Sequence, residues 1–303
     1  MHTAYKSARA LEMAVKDAAK ASALDTGRAI EDFYFHRLLC RVFADGNTSF
    51  VLKGGHAMLA RTVDARRTRD IDLLSVGNDL DAACRELIAL AQNDLGDFTT
   101  FEFDGTRPIK VEDDYRSGLS VRFVPYVGRK RMQPISIDLV VDEVPLERTE
   151  ILTPADRIDV AGIPVCDYLV YPVEIALSDK LHGIIETHSG RASSRVKDLV
   201  DIAVYATTCE IDGNGLLSSI QREARVRKLF LPQSFALPPE WGALHAQQYA
   251  KLAKQTGLSE AYVSMDGGLI IAKELLNPVL SGKGNGLRWD FRSLSWVSET
   301  GEV

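Results

Sequence analysis

The sequence predicts a mixed α/β region followed by a mostly helical second half. Apolar residues recur at helical spacing near the N-terminus and again after Pro172. Between Phe98 and Leu169 short apolar runs are separated by Gly and Pro, a pattern typical of strands. A strand, a Gly-Gly pair, a helix and a second strand precede that region. We therefore divide the chain into residues 1–170 and 171–303.

The first elements follow from the spacing of their apolar residues. Ala8 to Ala23 and Arg28 to Phe43 each place apolar side chains on one face of a helix. Phe50 to Leu52 is a short apolar strand, and after the glycines and their helix a second strand ends at Leu74. The pattern from Asp79 to Leu90 predicts a helix whose first turn contains acidic residues. Their negative charge is favourable at the positive N-terminal end of a helix.

The later elements are predicted in the same way. Five segments predict strands, namely FTTFEF, KVEDD, LSVRFVPYV, ISIDLVVDE and IPVCDYL. After Pro172 the pattern is helical nearly to Asn277. The stretch from Leu280 to Val303 is rich in Gly and Ser, and we expect Trp289, Phe291 and Trp296 to order part of it.

Bulk composition is that of an ordinary globular protein without a membrane span. The 303 residues are 46% hydrophobic and 26% charged, and the formal net charge is -6. No run approaches the roughly 20 apolar residues of a membrane helix, and the N-terminus lacks the pattern of a signal peptide. The four cysteines are far apart without zinc-ligand spacing, which favours a reducing compartment. We therefore expect a cytoplasmic protein.

Basic residues cluster in four places despite the negative net charge. Such clusters are common on solvated faces, but four of them make a binding channel for a polyanion plausible. The clusters are Arg61, Arg66, Arg67 and Arg69; Arg129 to Arg131; Arg191, Arg195 and Lys197; and Arg222, Arg225, Arg227 and Lys228.

The strongest chemical signal is the sequence Arg69-Asp70-Ile71-Asp72. On a strand, Asp70 and Asp72 project to one face while Ile71 faces the other. Two neighbouring carboxylates repel each other, and a shared hard cation such as Mg²⁺ offsets the repulsion. Gly54 and Gly55, directly before a helix, leave backbone N–H groups accessible to a phosphate. A phosphate cradle beside an aspartate pair predicts phosphoryl or nucleotidyl transfer.

A third carboxylate commonly completes such a metal site and helps to deprotonate an attacking hydroxyl. The strand from Ile135 to Val141 contains a single charged residue, Asp138. A buried carboxylate is costly unless it is paired or bound to metal, although a strand-end aspartate that reaches solvent is the alternative. We predict Asp70, Asp72 and Asp138 as the metal ligands.

Four spaced motifs resemble one known family. Gly54-Gly55 and Arg69-Asp70-Ile71-Asp72-Leu73 resemble the signature of DNA-polymerase-β-type nucleotidyltransferases, and within them the AbiEii/AbiGii toxin branch. The segment from Ser178 to His182 and the segment from Arg195 to Asp201 resemble the other two motifs of that branch. The resemblance covers about half of the chain and implies a polymerase-β-type mixed sheet with helices, followed by a helical half that completes the active site and substrate groove.

The resemblance also implies residue roles. Lys180 corresponds to the lysine that binds nucleotide phosphates, and Asp198 to an aspartate that holds it. Lys53, directly before the glycines, and Arg69, the first residue of the aspartate motif, are further candidates for nucleotide binding. The residue after the glycines is His56, where the family usually has Ser or Thr, and an imidazole there could still donate to a phosphate.

The resemblance implies a bacterial type IV toxin–antitoxin, or abortive infection, enzyme. It would transfer NMP from an NTP to the 3′ end of tRNA with Mg²⁺, release pyrophosphate and block translation. A pyrimidine NTP such as CTP, a cognate antitoxin and a monomeric toxin are further expectations. Two other interpretations stay open: an enzyme that nucleotidylates a protein hydroxyl, and a non-catalytic nucleotide- or RNA-binding protein.

Overall fold

The computed structural model describes residues 5–77, 79–109, 116–142, 146, 148–187 and 190–298. By their internal contacts the residues form two compact units, Met1–Val63 with Thr68–Tyr171, and Asp64–Arg67 with Pro172–Val303. No sequence pattern indicated that the short segment Asp64–Arg67 groups with the second half. None of the helices in the described ranges combines the length and apolar character needed to cross a membrane.

The first unit contains a mixed sheet and four α-helices among its described residues. Its helices are α1 (Ala8–Ala21), α2 (Thr26–Val42), α3 (Gly54–Arg61) and α4 (Leu80–Ala91). Its strands are β1 (Phe50–Lys53), β2 (Ile71–Ser75), β3 (Thr99–Pro108), β4 (Arg116–Val127), β5 (Lys130–Arg131), β6 (Ile135–Asp142), β7 (Glu150–Leu152) and β8 (Tyr168–Val170). The mixed α/β fold predicted from the sequence is confirmed.

The strand order is β3-β4-β6-β2-β1-β8-β7, with β5 paired to β4. β2 runs parallel to β6, and β1 runs parallel to β8, whereas the other pairs are antiparallel. Leu52, Leu73 and Leu139 lie side by side on the three central strands β1, β2 and β6. All three side chains are completely buried. They belong to a core that also includes Leu38 of α2 and Leu87 of α4. This core fixes the register of β1, β2 and β6, because a one-residue slip would expose it.

The second unit is helical with a small antiparallel sheet. Its helices are α5 (Val173–Ile185), α6 (Val196–Thr208), α7 (Gly213–Arg227), α8 (Ala243–Ala253) and α9 (Met265–Leu280). Its strands are β9 (Ile211–Asp212), β10 (Leu287–Asp290) and β11 (Ser295–Ser298).

Several predicted elements differ from the structure. Of IPVCDYL, only Tyr168 and Leu169, with Val170 after them, pair as a strand, and β5 and β7 are too short to show a sequence pattern. All of KVEDD lies outside the described residues. The C-terminal stretch forms the β10–β11 hairpin, because Trp289 is completely buried and its indole N–H donates to the Ala206 carbonyl at 2.7 Å. The buried Trp289 therefore orders part of this Gly- and Ser-rich stretch, in agreement with the expectation from its aromatic residues.

A buried charge cluster joins α2 to the start of β3 in the first unit. Arg41 is completely buried and donates to Asp97 at 2.8 Å, and Arg37 donates to the same carboxylate at 2.6 Å. Burial alone would raise the pKa of Asp97, but hydrogen bonds and charge from Arg41 and Arg37 lower it. The ionised carboxylate therefore stabilises two buried guanidinium groups.

We expect Asp97→Asn to lower the free energy of unfolding by about 3–5 kcal/mol, because it leaves Arg37 and Arg41 buried without their counter-charge. Urea denaturation measures the change. Asp104→Asn is the matched control, since Asp104 pairs with Arg122 where both side chains are 43% exposed, and it should change stability by less than about 1 kcal/mol. A similar loss in both variants would contradict this role.

The same pair predicts a pH dependence. Because the pKa of Asp97 is below its ordinary value of 3.8 in the folded state, its contribution is complete above 3.8 and disappears as pH falls through the lowered pKa. The stability difference between the wild type and Asp97→Asn should therefore shrink below pH 3.8.

Candidate active site

A row of polar side chains crosses one face of the mixed sheet. Asp72 of β2 lies opposite Asp138 of the parallel strand β6 and opposite Lys53 of the antiparallel strand β1. All three are half-buried, whereas their chain neighbours on the opposite face are buried. The row continues from Asp138 to Ser120 of β4 and Arg107 of β3.

The two carboxylates are close because register partners on adjacent strands lie side by side. Neighbouring strands are roughly 4.8 Å apart, so partner side chains on one face are within reach of a common ligand. Asp72 and Asp138 therefore form a pair across β2 and β6. The sequence predicted both residues as members of one site but did not indicate that they are register partners.

Gly54 brings the Asp72 carboxylate to the N-terminus of α3. A Cβ on Gly54 would overlap Oδ2 of Asp72, and Gly54 has a φ of +65°. Only glycine avoids both the steric overlap and the cost of the left-handed backbone. The positive end of the helix macrodipole favours a carboxylate at this point. The glycine thus positions the Asp72 carboxylate at the N-terminus of α3.

Gly55 has a different neighbour. A Cβ on Gly55 would lie 2.7 Å from Cβ of Thr68, so this glycine permits close packing of the segment that leads into β2. In that segment Arg69 and Asp70 are both exposed and lie just before the strand, which begins at Ile71. Asp70 therefore precedes the ladder that carries Asp72 and Asp138.

His56 points into the interior of the first unit. Its side chain is buried, and its ring lies 5.0 Å from the ring of Phe35 of α2, centroid to centroid. Burial lowers the pKa of His56 to about 4, so the imidazole is neutral near pH 7. These observations argue against the predicted phosphate contact and assign His56 a packing role.

The donor set of the sheet site fits a hard divalent cation. Carboxylate oxygens are the ligands that Mg²⁺ prefers, and Asp72 and Asp138 present them from adjacent strands. Across the described ranges of the chain, no group of three His, Cys, Asp or Glu side chains has the arrangement of a metal site. The structure thus brings together two of the three predicted ligands, and Asp70 lies at the strand entrance.

The second unit contains a separate buried charge cluster around Lys180 of α5. Its Nζ donates to Asp201 of α6 at 2.6 Å and lies 3.7 Å from Asp198. Arg66 adds a bidentate pair to Asp201, with contacts of 2.7 and 3.0 Å, and Arg195 pairs with Asp198. Both aspartates are only 1% exposed.

The charges in this cluster support one another. Burial alone would lower the pKa of Lys180, but Asp201 and Asp198 raise it above its ordinary value. Burial alone would raise the pKa of Asp201, but Lys180 and Arg66 lower it. Lys180 is therefore a fixed ammonium group whose nearest partner is Asp201 rather than the predicted Asp198. The role of Lys180 in phosphate binding stays a prediction.

Sequence reasoning missed the partnership of Arg66 and Asp201, which are 135 residues apart. A signal for Asp201 was present, since Asp198 and Asp201 are one helical turn apart among apolar residues. The partner was not predictable, because Arg66 lies in the short segment Asp64–Arg67. That segment belongs to the second unit although its neighbours in the sequence belong to the first.

Comparisons with known proteins give one family. A family model described as the nucleotidyl transferase AbiEii toxin of type IV TA systems matches residues 37–265, well over half of the chain. Among solved structures, JHP933 from Helicobacter pylori matches with 15% identity and a TM-score of 0.42, over 84% of this chain and 94% of that protein. A candidate nucleotidyltransferase from H. pylori gives the same identity and TM-score, over 84% and 97%. No curated protein matches the chain.

We expect Gly54→Ala to destabilise the protein more than Gly46→Ala. Gly46 has a φ of +71° with open space around it, so its substitution gives the backbone cost alone, about 1–2 kcal/mol. At Gly54 the methyl group must also displace the Asp72 carboxylate, which adds about 1–3 kcal/mol. Urea denaturation of both variants measures the difference. Equal losses would show that Asp72 does not depend on this glycine.

Lys180→Met tests the second cluster. Removing the ammonium group takes a buried cationic partner away from both Asp198 and Asp201. We therefore expect a loss of about 3–5 kcal/mol in the free energy of unfolding. Lys197→Met is the control, since Lys197 is exposed on α6 and should change stability by less than about 0.5 kcal/mol. A comparably small effect at Lys180 would show that the two buried aspartates do not depend on its ammonium group.

Proposed function

Since the chain belongs to the AbiEii family of nucleotidyl transferase toxins of type IV toxin–antitoxin systems, we propose that it transfers NMP from an NTP to the 3′ end of tRNA. The reaction would depend on Mg²⁺, release pyrophosphate and block translation by modifying the acceptor end. Family membership also implies an antitoxin partner.

The observation that carries the chemical part of the proposal is the pairing of Asp72 with Asp138. Two carboxylates in direct register on adjacent strands repel each other, and a bound cation would offset that repulsion. Gly54, at the N-terminus of α3, lies beside Asp72. This combination supports binding of a triphosphate next to a carboxylate pair.

Asp72 and Asp138 would hold Mg²⁺, with Asp70 as a further ligand. Bound Mg²⁺ would neutralise charge on the phosphates and favour in-line displacement. The protein's own groups would then orient the reactants. Backbone N–H groups at the start of α3 would contact phosphate oxygens, and Lys53 and Arg69 would add positive charge.

In the proposed step, the acceptor hydroxyl oxygen attacks the α-phosphorus of the NTP. The new P–O bond forms as the bond to the β-phosphate oxygen breaks, and pyrophosphate leaves with that electron pair. Asp138 would accept the hydroxyl proton as general base. A pyrimidine NTP such as CTP stays the proposed donor by family resemblance, and a monomer stays the proposed assembly state.

The test is a transfer assay with each of the four labelled NTPs, Mg²⁺, total tRNA and a protein lysate. Label in tRNA, removed by trimming of the 3′ end, would support the proposal. Label in protein would favour nucleotidylation of a protein hydroxyl. Absence of label with every NTP would favour a non-catalytic binding protein. Omitting Mg²⁺, with EDTA present, tests the metal requirement.

In that assay we expect Asp72→Asn and Asp138→Asn each to lower kcat/KM by about 100-fold or more, which corresponds to a loss of ~3 kcal/mol of transition-state stabilisation. Asp104→Asn, a surface carboxylate substitution on the same sheet, should stay within about twofold of the wild type. Unfolding curves must show that all three variants are folded. Near-wild-type transfer by either site variant would remove that residue from the proposed site.

A further inference from the structure

Phe230 is the most exposed large apolar residue in the described ranges. Its side chain is fully exposed, although phenylalanine usually packs into the interior. It follows α7 by three residues and lies in the second unit. A single exposed apolar residue needs no explanation by itself, so its surroundings decide its significance.

The turn before Phe230 is well defined. The Leu229 N–H donates to the Ala224 carbonyl at 2.9 Å, and Lys228 adopts a left-handed conformation with a φ of 55°. This is the Schellman pattern of a helix C-terminus, which usually uses glycine at the left-handed position. A hydrogen-bonded turn therefore ends directly before Phe230.

Two cations lie beside the ring. Arg225 and Lys228 are exposed and, with Phe230, line a groove of about 500 Å³. Neither forms an ion pair with an acidic side chain in the described ranges, whereas the neighbouring Arg227 pairs with Glu223 and Glu186. Arg225 and Lys228 therefore keep positive charge directed at solvent beside an accessible aromatic face.

We infer that Phe230, Arg225 and Lys228 form a binding site for single-stranded RNA. A base stacks on the face of Phe230, and the adjacent backbone phosphates contact the two cations. An exposed aromatic ring next to unpaired cations is the combination with which proteins bind single strands, because every base has a stacking face and every linkage a negative charge. The inference rests on the proposed function, in that the strand would belong to the RNA acceptor.

A single RNA strand and a protein partner would make different demands on Phe230. An apolar docking site for a protein would depend on the buried area of Phe230 and would tolerate another large apolar residue. A stacking site depends on the aromatic face, so leucine cannot replace phenylalanine there. This difference makes the two occupants separable by experiment.

The experiment measures binding of the full-length protein to a short fluorescein-labelled single-stranded RNA by anisotropy. We expect Phe230→Ala and Phe230→Leu to weaken binding by about 5- to 150-fold, and Phe230→Trp to retain wild-type affinity. Leu244→Ala is the control, since Leu244 is 78% exposed on α8 of the same unit, and it should bind as the wild type does. A duplex of the same sequence should bind more weakly and respond less to Phe230→Ala.

The cations are tested by salt dependence. Arg225→Gln and Lys228→Gln should each lower the slope of log affinity against log salt by about 0.7 for a single strand. Wild-type RNA affinity in Phe230→Leu, or unchanged RNA affinity in Phe230→Ala, would overturn the stacking site. Unchanged salt slopes would also overturn the site.

Parallel transfer assays separate failure of this inference from failure of the proposed function. If the wild type labels tRNA and Phe230→Ala labels it with unchanged KM, the site is wrong and the function stands. If no variant labels RNA but Phe230→Ala still loses affinity for the single strand, the proposed acceptor is wrong and the binding site stands.

Discussion

The close approach of the Asp72 carboxylate to the backbone of Gly54 is the constraint on which the candidate active site depends. Gly54 connects β1 directly to α3, so the contact sets where the helix begins relative to the sheet. β2 pairs with β1 on one side and β6 on the other, and the same register therefore places Asp72 beside Asp138. A side chain at Gly54 would disturb the strand, the helix and the carboxylate pair together.

The two units accommodate their charges in different ways. Asp72 and Asp138 are half-buried, so water lowers the cost of their mutual repulsion and leaves them accessible to a ligand. Asp198 and Asp201 are almost completely buried, and their cost is offset by pairing with Lys180, Arg66 and Arg195. The half-buried Asp72–Asp138 pair suits a site that binds a cation. The cluster around Lys180 already contains its cations, and its ion pairs connect α5 to α6.

Much of the fold and part of the site could be predicted from the sequence, because both depend on local patterns. The alternation around Asp72 and Asp138 and the glycine pair each lie within a few residues and reflect strand and turn geometry. Features that depend on distant partners were not predictable. The imidazole of His56 follows the glycines, yet the position of Phe35 in α2 makes it a packing residue. The β10–β11 hairpin depends on the carbonyl that Trp289 finds at Ala206, 83 residues away.

The basic residues show why proximity in sequence is a poor guide to a polyanion site. Arg61, Arg66, Arg195 and Arg227 each belong to a sequence cluster, but all four pair with carboxylates, some of them distant. Such pairs neutralise the field that a phosphate would feel. In a chain of net charge -6, a local positive site needs cations that escape this pairing. Arg225 and Lys228 meet this requirement beside Phe230, so this small surface would let an acidic protein bind the proposed RNA substrate.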